Sequence, residues 1–338
     1  MEEKLEKVKT ILEKNGQTHL LSAFDKLDDN KKEILLNQIL GIDFDLMENL
    51  YENTKKEIEL GDVKIEPISY KDKYKMPKDE LEKYKEIGEE EIKNGKFIIF
   101  LQPKFDILTQ SVVGAEALVR KQENGKVILP DNFIPFYEKT GEIIKLDMYV
   151  LEEVCKLQNK WKKQNVRLLP ISINESRHHL KNVNHIKELK ELIKKYNVDT
   201  NFIELEMTET TIIEDIEVAK NAEKEAHKLG FRISMDDFGT GYSAFNVLKD
   251  IEIDILKIDK VFFEGLEQNE RAQIIIDTIV QMCKKLNIKT VAEGIEDKWQ
   301  LDFLKKIKCD IVQGYYFSKP ISISDFEKKY NQKSSTKH

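Results

Sequence analysis

Oxygen-bearing side chains recur along the chain from Phe97 onward, each at or near the end of a strand-like run. Glu116 stands in GAEALVR, Asn174 in ISINES, Glu206 in IELEMTE, and Asp236 with Asp237 in SMDDFGTGYS. Lys257 follows in ILKID, Glu293 in VAEGIE and Gln313 in VQGYYFSKP. Carboxylates and an Asn carbonyl, with no cluster of His or Cys, suit Mg²⁺ or Mn²⁺ better than Zn²⁺. The adjacent aspartates are informative because successive strand side chains point to opposite faces. At a strand-to-loop junction both reach one site, where they can bridge two metal ions. Two such ions, about 3.5–4 Å apart, would activate water and stabilise the leaving oxygen of a phosphodiester. Lys257 adds a positive charge able to hold that water or a phosphate oxygen. Glu116 and Lys257 both lie in apolar runs, VVGAEALV and DILKID, where an unpaired charge is costly to bury. Arg120, four residues past Glu116, offers a planar fork for phosphate.

Residues so far apart share a site only if the chain brings the strand ends together. Strands are expected near FIIFLQPKFD, SVVGAEALVR, RLLPISIN, FIELEMTE, RISMDDF, IDILKID, KTVAEGI and IVQGYYF. Helical periodicity marks DMYVLEEVCKLQNKWKKQ, HIKELKELIKKY, EVAKNAEKEAHKLG and NERAQIIIDTIVQMCKKL between them. Only ILTQ joins the first two strands, too short for a parallel crossover, so that pair is antiparallel. The expected fold is α/β, a modified (β/α)8 TIM-type barrel with an antiparallel first strand pair. Such barrels gather catalytic groups at the C-terminal ends of their strands.

Composition narrows the alternatives. The 338 residues are 40% apolar and 35% charged, consistent with a folded chain. A net charge of −7 gives no basic footprint for bulk nucleic acid. No apolar run is long enough for a membrane span. The start, MEEKLEKVKT, is a charged helical sequence and not a signal peptide, so the expected location is cytoplasmic. Cys155, Cys283 and Cys309 are odd in number and widely spaced, which argues against a disulfide framework. Nearly all of the negative excess falls before Phe97, where EEKLEKVKTILEK, HLLSAFDKL, KKEILLNQILG and DLMENLYENTKKEIE read as helices. VKIEPISYKDKYKMP, with Pro67 and Pro77, reads as an extended connection. The expected division is a small helical N-terminal domain over 1–87, the barrel over 88–330 and a polar tail over 331–338.

Taken together and in order, Gln102-Pro103, Glu116-Ala117-Leu118, ISINES, LEMTE, MDDFGTGYS, LKID, AEGIE and QGYYFSKP resemble the EAL domain, a bacterial phosphodiesterase that opens cyclic di-GMP. The resemblance covers about 88–330. It implies that Glu116, Asn174, Glu206 and Asp236 hold one Mg²⁺ or Mn²⁺, with Asp236 and Asp237 serving a second. It further implies that Lys257 positions the nucleophilic water, that Glu293 supports the metal site or that water, and that Glu209 anchors the loop after Asp237. Gln102 and Arg120 would contact the dinucleotide and Gln313 would complete the site. The implied product is linear pGpG, and the implied assembly a homodimer formed beside the fifth and sixth strands. Two positions depart from the family pattern: Lys121 replaces a common tryptophan, and Ser243-Ala244 replaces a serine pair.

Upstream, NGQTHLL, QILGIDFDLMENLYE and KIEPISYKDK are similar to the helical N-terminus of UDP-sugar pyrophosphorylases. That family's glycine-rich nucleotide loop would follow residue 96, where LQPKFD stands instead, so a sugar-nucleotide transferase is excluded. A non-hydrolysing cyclic di-GMP receptor signalling through the helical segment is the alternative function. Other prominent residues have plainer readings. His178 and His179 are expected at the surface, Met207 and Met235 in the core, and Trp161 and Trp299 in helix packing.

Overall fold

The computed structural model describes residues 2–22, 24–42, 44, 78–179, 182, 185–239 and 244–331. The DLMENLYENTKKEIE segment (but for Phe44 before it), the Pro67–Pro77 connection, KIEPISYKDK, Ser243 and the tail beyond Asn331 lie outside the described residues. The chain divides into two units, residues 1–70 and 71–338. In the first, helices α1 (Glu2–Lys14) and α2 (Asp29–Leu40) bury Val8, Leu12, Phe24, Leu36 and Ile39 against one another. The Asp28 carboxylate accepts from the Lys31 amide and caps α2.

The second unit begins with helix α3 (Lys78–Lys93), which leads to strands β1 (Phe97–Asp106), β2 (Val112–Glu123) and β3 (Lys126–Ile128). Helices α4 (Ile134–Thr140) and α5 (Ile143–Lys163) follow, then β4 (Ile171–Asn174), α6 (His185–Tyr196) and β5 (Ile203–Thr208). Next come α7 (Glu209–Glu214), α8 (Ile216–Lys228), β6 (Arg232–Phe238), α9 (Ala244–Asp250) and β7 (Ile255–Ile258). The chain continues through α10 (Glu270–Lys285), β8 (Lys289–Ala292), α11 (Lys298–Ile307) and β9 (Ile311–Val312). It finishes with β10 (Ile321–Ser322) and α12 (Ile323–Tyr330).

Strands run in the order β1-β9-β8-β7-β6-β5-β4-β2, and β2 pairs back onto β1, so the sheet closes as a ring. Pairings from β2 round to β9 are parallel, whereas β1 is antiparallel to both β2 and β9. The ILTQ turn accounts for the first reversal; the second follows because β1 must also close the barrel. Val, Ile and Leu dominate the buried strand positions, and Met207, Met235 and Trp161 lie in the same core. The three cysteines are buried free thiols, pushed up by burial to about 12, 12 and 11 for Cys155, Cys283 and Cys309. They are packing residues.

Helix α3, in this second unit, packs through Tyr84 on Phe136, through Ile92 on the cluster of Phe97, Phe133 and Tyr137, and through a polar cluster. The Tyr137 hydroxyl donates to Glu91 Oε2 at 2.8 Å, and Lys121 Nζ reaches Glu91 Oε1 at 2.8 Å. Lys121, the departure from the family's tryptophan, thus ties β2 to α3. A division at 87/88 falls inside this helix, next to Gly88, where an added Cβ would lie 3.4 Å from the Tyr137 ring.

Candidate active site

The side chains at the strand ends converge on the ammonium of Lys257, near the C-terminal end of β7. It lies 3.0 Å from Glu206 Oε2, 2.9 Å from Asp236 Oδ2, 3.0 Å from Glu293 Oε1 and 3.7 Å from Glu116 Oε2. Lys257 is 1% exposed, so its charge is compensated by these carboxylates and not by water. Glu116 is held from two more sides. Gln313 Nε2 donates to its Oε2 at 2.6 Å and Asn174 Nδ2 to its Oε1 at 3.2 Å. Gln102, opposite Glu116 in the β1–β2 register, accepts from Gln313 Nε2 at 3.2 Å. A cleft of about 320 Å³ opens over this group, lined by Gln102, Glu116, Asp236, Lys257, Glu293 and Gln313 among others.

Asp236 lines the cleft, whereas Asp237 is not among its lining residues. Pairing of β6 with β7 shifts register between Met235 and Phe238, and Asp237 takes φ +55°. The strand was expected to end at the aspartates; instead it bulges there and runs on to Phe238. The Asp237 amide donates to Asp236 Oδ1 at 2.8 Å. Gly239 follows with φ +95°, and a Cβ there would fall 2.2 Å from the Phe262 ring, so only glycine fits. Its amide donates to Glu209 Oε2 at 2.8 Å, and Glu209 is not among the residues that line the cleft. The loop beyond Gly239, as far as Ser243, lies outside the described residues. Arg120 is buried too, but its guanidinium donates to the Val119 carbonyl and lies over the Phe100 ring.

The electrostatics are those of an acid-rich pocket with too few cations. Burial pushes Glu116 up, with Glu206 and Asp236 adding to the shift against Lys257. Burial likewise raises Glu293 well above the carboxylate range, and raises Asp237, which also feels Asp236. Glu206 is the exception. Burial opposes its ionisation, yet Lys257 and Lys104 together hold it down to about 2.

Lys104 was not singled out by its sequence context. It lies two residues beyond Gln102 on β1, therefore on the same face, and Glu204 bears the same relation to Glu206 on β5. Lys104 Nζ donates to Ser172 Oγ at 2.8 Å, Glu204 Oε2 at 3.1 Å and Glu206 Oε1 at 3.1 Å. Period-two spacing from known site residues was the signal that could have found both.

A larger cavity of about 420 Å³ lies beside the carboxylate cleft, lined by apolar side chains from β2, α4 and α5 and by polar ones including Asn174, Glu175 and Asp147. The carboxylates gathered on Lys257 line the smaller cleft. Against expectation, His179 is buried behind the larger cavity, because it has partners there. His179 Nε2 lies 3.1 Å from Asp147 Oδ2, His179 Nδ1 3.1 Å from His185 Nδ1, and His185 Nε2 2.9 Å from Glu175 Oε1. Three such contacts hold three protons over four groups, one more than two neutral imidazoles supply. Burial pushes the His179 pKa down, but Asp147 and Glu175, with Glu188 farther off, outweigh it and raise it above the ordinary 6.5. A raised folded-state value contributes stability that is present below 6.5 and lost as pH rises through the folded value. His179→Gln is therefore expected to lower the melting temperature most at about pH 5.5 and least at about pH 8.5. Thermal unfolding of both proteins across that range tests it; a pH-independent difference would refute the ion pair.

All-oxygen donors fit a hard divalent cation, and Lys257 already shows that these carboxylates gather around a positive charge. Among the described residues, no three Asp, Glu, His or Cys side chains enclose a ready-made metal cage; the ammonium stands at their centre. The Asn174 amide presents its NH2 to Glu116 as placed, and a half-turn of the amide would present its carbonyl oxygen instead.

The family model for the EAL domain matches residues 86–320. Over 70% of this chain and 30% of the other's length, the sequence is 34% identical to signaling protein YkoW of Bacillus subtilis (strain 168). It is 31% identical, over 70% of this chain and 30% of the relative, to cyclic di-GMP phosphodiesterase NbdA of Pseudomonas aeruginosa. The chain thus spans less than a third of the length of these curated relatives. Among solved structures, the PaMucR phosphodiesterase in complex with c-di-GMP superposes with a TM-score of 0.67 at 28% identity, covering 72% of this chain and 99% of that one.

Proposed function

The chain belongs to the EAL-domain family, and from that membership we propose that it hydrolyses cyclic di-GMP to linear pGpG in a reaction dependent on Mg²⁺ or Mn²⁺. The observation that carries the reading is the convergence of Glu116, Glu206, Asp236 and Glu293 on one buried cation at the strand ends. Glu116, Asn174, Glu206 and Asp236, with Asp237 beside them, are the residues that would hold the metal. Bound there, a divalent ion supplies a nucleophilic water at neutral pH and stabilises charge on the phosphodiester.

The chain's own residues do the positioning. Gln313 and Asn174 fix the two oxygens of Glu116, so its carboxylate is oriented before substrate arrives. Lys257 holds Glu206, Asp236 and Glu293 together and offers a fixed positive charge to water or phosphate. Glu293 Oε1 lies 3.0 Å from Lys257 Nζ, where it would support the metal site or its water. Gln102 and Arg120 flank Glu116 on the side where the dinucleotide would lie.

A homodimer formed beside β6 and β7 is part of the same proposal. Exposed Val261, Ile274 and Ile275, just after β7 and on α10, support it. The upstream unit is read as similar to the helical N-terminus of UDP-sugar pyrophosphorylases, carried without their nucleotide loop.

The test is conversion of cyclic di-GMP to pGpG, followed chromatographically with Mg²⁺ or Mn²⁺, by the full chain and by residues 78–338. Both proteins are expected to turn over, because cutting before Lys78 keeps α3 whole and keeps Glu91 on Tyr137 and Lys121. Binding of cyclic di-GMP by the full chain without any product would overturn the proposal.

A further inference from the structure

Beneath the carboxylate cluster, the barrel interior contains a second buried lysine. Lys104 is 2% exposed and reaches Ser172, Glu204 and Glu206 with its ammonium. Its partner in the β1–β2 register is Gly114, where an added Cβ would lie in ordinary contact with the Lys104 stem, 3.9 Å from Cδ, and crowd the Pro170 carbonyl at 3.0 Å. Glu206 is thereby gripped at both oxygens: Oε1 by Lys104 at 3.1 Å and Oε2 by Lys257 at 3.0 Å. Glu204, with one oxygen on Lys104 at 3.1 Å and the other 3.9 Å from Arg232, supplies the compensating negative charge.

We propose that Lys104 is a positioning residue that occupies Glu206 Oε1 and so presents Glu206 to a divalent cation through Oε2 alone. The inference rests on the metal-dependent phosphodiesterase reading. A carboxylate free at both oxygens can chelate in either mode and rotate about its last torsion; one tied from below cannot. Partners of this kind, which hold a ligand without touching the metal, typically contribute 10–100-fold in metal affinity or activity. Charge alone predicts the opposite sign, since removing a nearby cation should favour binding of another.

The two effects separate in the double variant Lys104→Met/Glu204→Gln of the full chain. It removes one positive and one negative charge, so the net charge of the pocket is unchanged and no unpaired buried ion remains. Mn²⁺ binding to the metal-free protein, measured by calorimetry, is expected to weaken by about 10–100-fold. Excess Mn²⁺ should recover most of kcat, with KM for cyclic di-GMP little changed. Lys104→Met alone, which leaves Glu204 unpaired, should fall between parent and double variant in Mn²⁺ affinity, because added negative charge offsets lost positioning. Mn²⁺ affinity of the folded double variant within about twofold of the parent would overturn the proposal and leave Lys104 a packing and charge-balancing residue. If the double variant does not fold, Glu204→Gln alone decides. It frees Lys104 to bind Glu206 more tightly, and must not weaken Mn²⁺ binding as much as tenfold. A parent protein that neither binds Mn²⁺ nor makes pGpG would instead sink the phosphodiesterase reading itself.

Discussion

Replacing Glu116 by alanine is expected to lower cyclic di-GMP hydrolysis by about a thousandfold or more while the protein stays folded. A metal ligand contributes through several kcal/mol of charge stabilisation, and each 1.36 kcal/mol is about tenfold in rate. Glu116 is also where four neighbours meet: Asn174, Gln313, Lys257 and, through Gln313, Gln102. Its loss disorders the rim as well as removing a donor. The fold should survive for an electrostatic reason. Burial and the nearby Glu206 and Asp236 raise the Glu116 pKa, so the site already resists this charge, and removing it relieves repulsion. Against that stand two lost hydrogen bonds, about 1 kcal/mol each, since Gln313 keeps Gln102 as an acceptor and Asn174 is exposed to water. Glu116→Gln keeps the volume and is the matching control. Circular dichroism and melting curves establish folding, and chromatographic pGpG formation reports activity. Retention of more than a tenth of parental kcat by a folded Glu116→Ala protein would remove Glu116 from the ligand set.

The largest effect on stability is expected from Lys257→Met. Three carboxylates within 3.0 Å of the ammonium would face one another with nothing between them. Breaking buried pairs in this way costs about 3–5 kcal/mol, which for a domain of this size is roughly 10 °C in melting temperature. A divalent cation can take over the lost charge. The variant should therefore melt well below the parent in EDTA and recover much of the difference when Mn²⁺ is added, without recovering activity. Lowering the pH should also help it, because carboxylates freed from Lys257 protonate more easily. Equal melting temperatures for the two proteins in EDTA would show that Lys257 is not the counter-ion of the cluster.

Much of this was legible along the chain, and what was not has identifiable causes. Parallel strands buried on both faces, such as Ile203–Thr208, read as short apolar runs interrupted by carboxylates, so the strand and Glu206 announce themselves though Glu204 does not. Long helices with a clear apolar stripe, such as α5 and α10, were equally readable. Closure of β1 onto β9 followed from the expected barrel, but its register did not, since Asp106 and Ile311 are brought together by the whole barrel and by nothing local. Short helices such as α7 carry too few turns for periodicity to emerge. His179 was misplaced because its partners, Asp147 and His185, come from other elements. Lys104 sits in a strand that reads simply as LQPKFD, and its acidic partners are about a hundred positions away.

The reversal of β1 has a mechanical meaning. In a barrel whose strands all run one way, the chain starts at the floor, and anything upstream is separated from the chemistry by the full depth of the sheet. Here Phe97 lies opposite Lys121, at the mouth, and five residues later Gln102 lies opposite Glu116. The polypeptide therefore comes in over the mouth and descends into the barrel past Gln102 and Glu116. Helix α3 is bolted to that mouth through Glu91 and Lys121, one residue from Arg120. A twist or tug on α3 is delivered to β1 and β2 at the level of Gln102 and Glu116, with no intervening layer to absorb it.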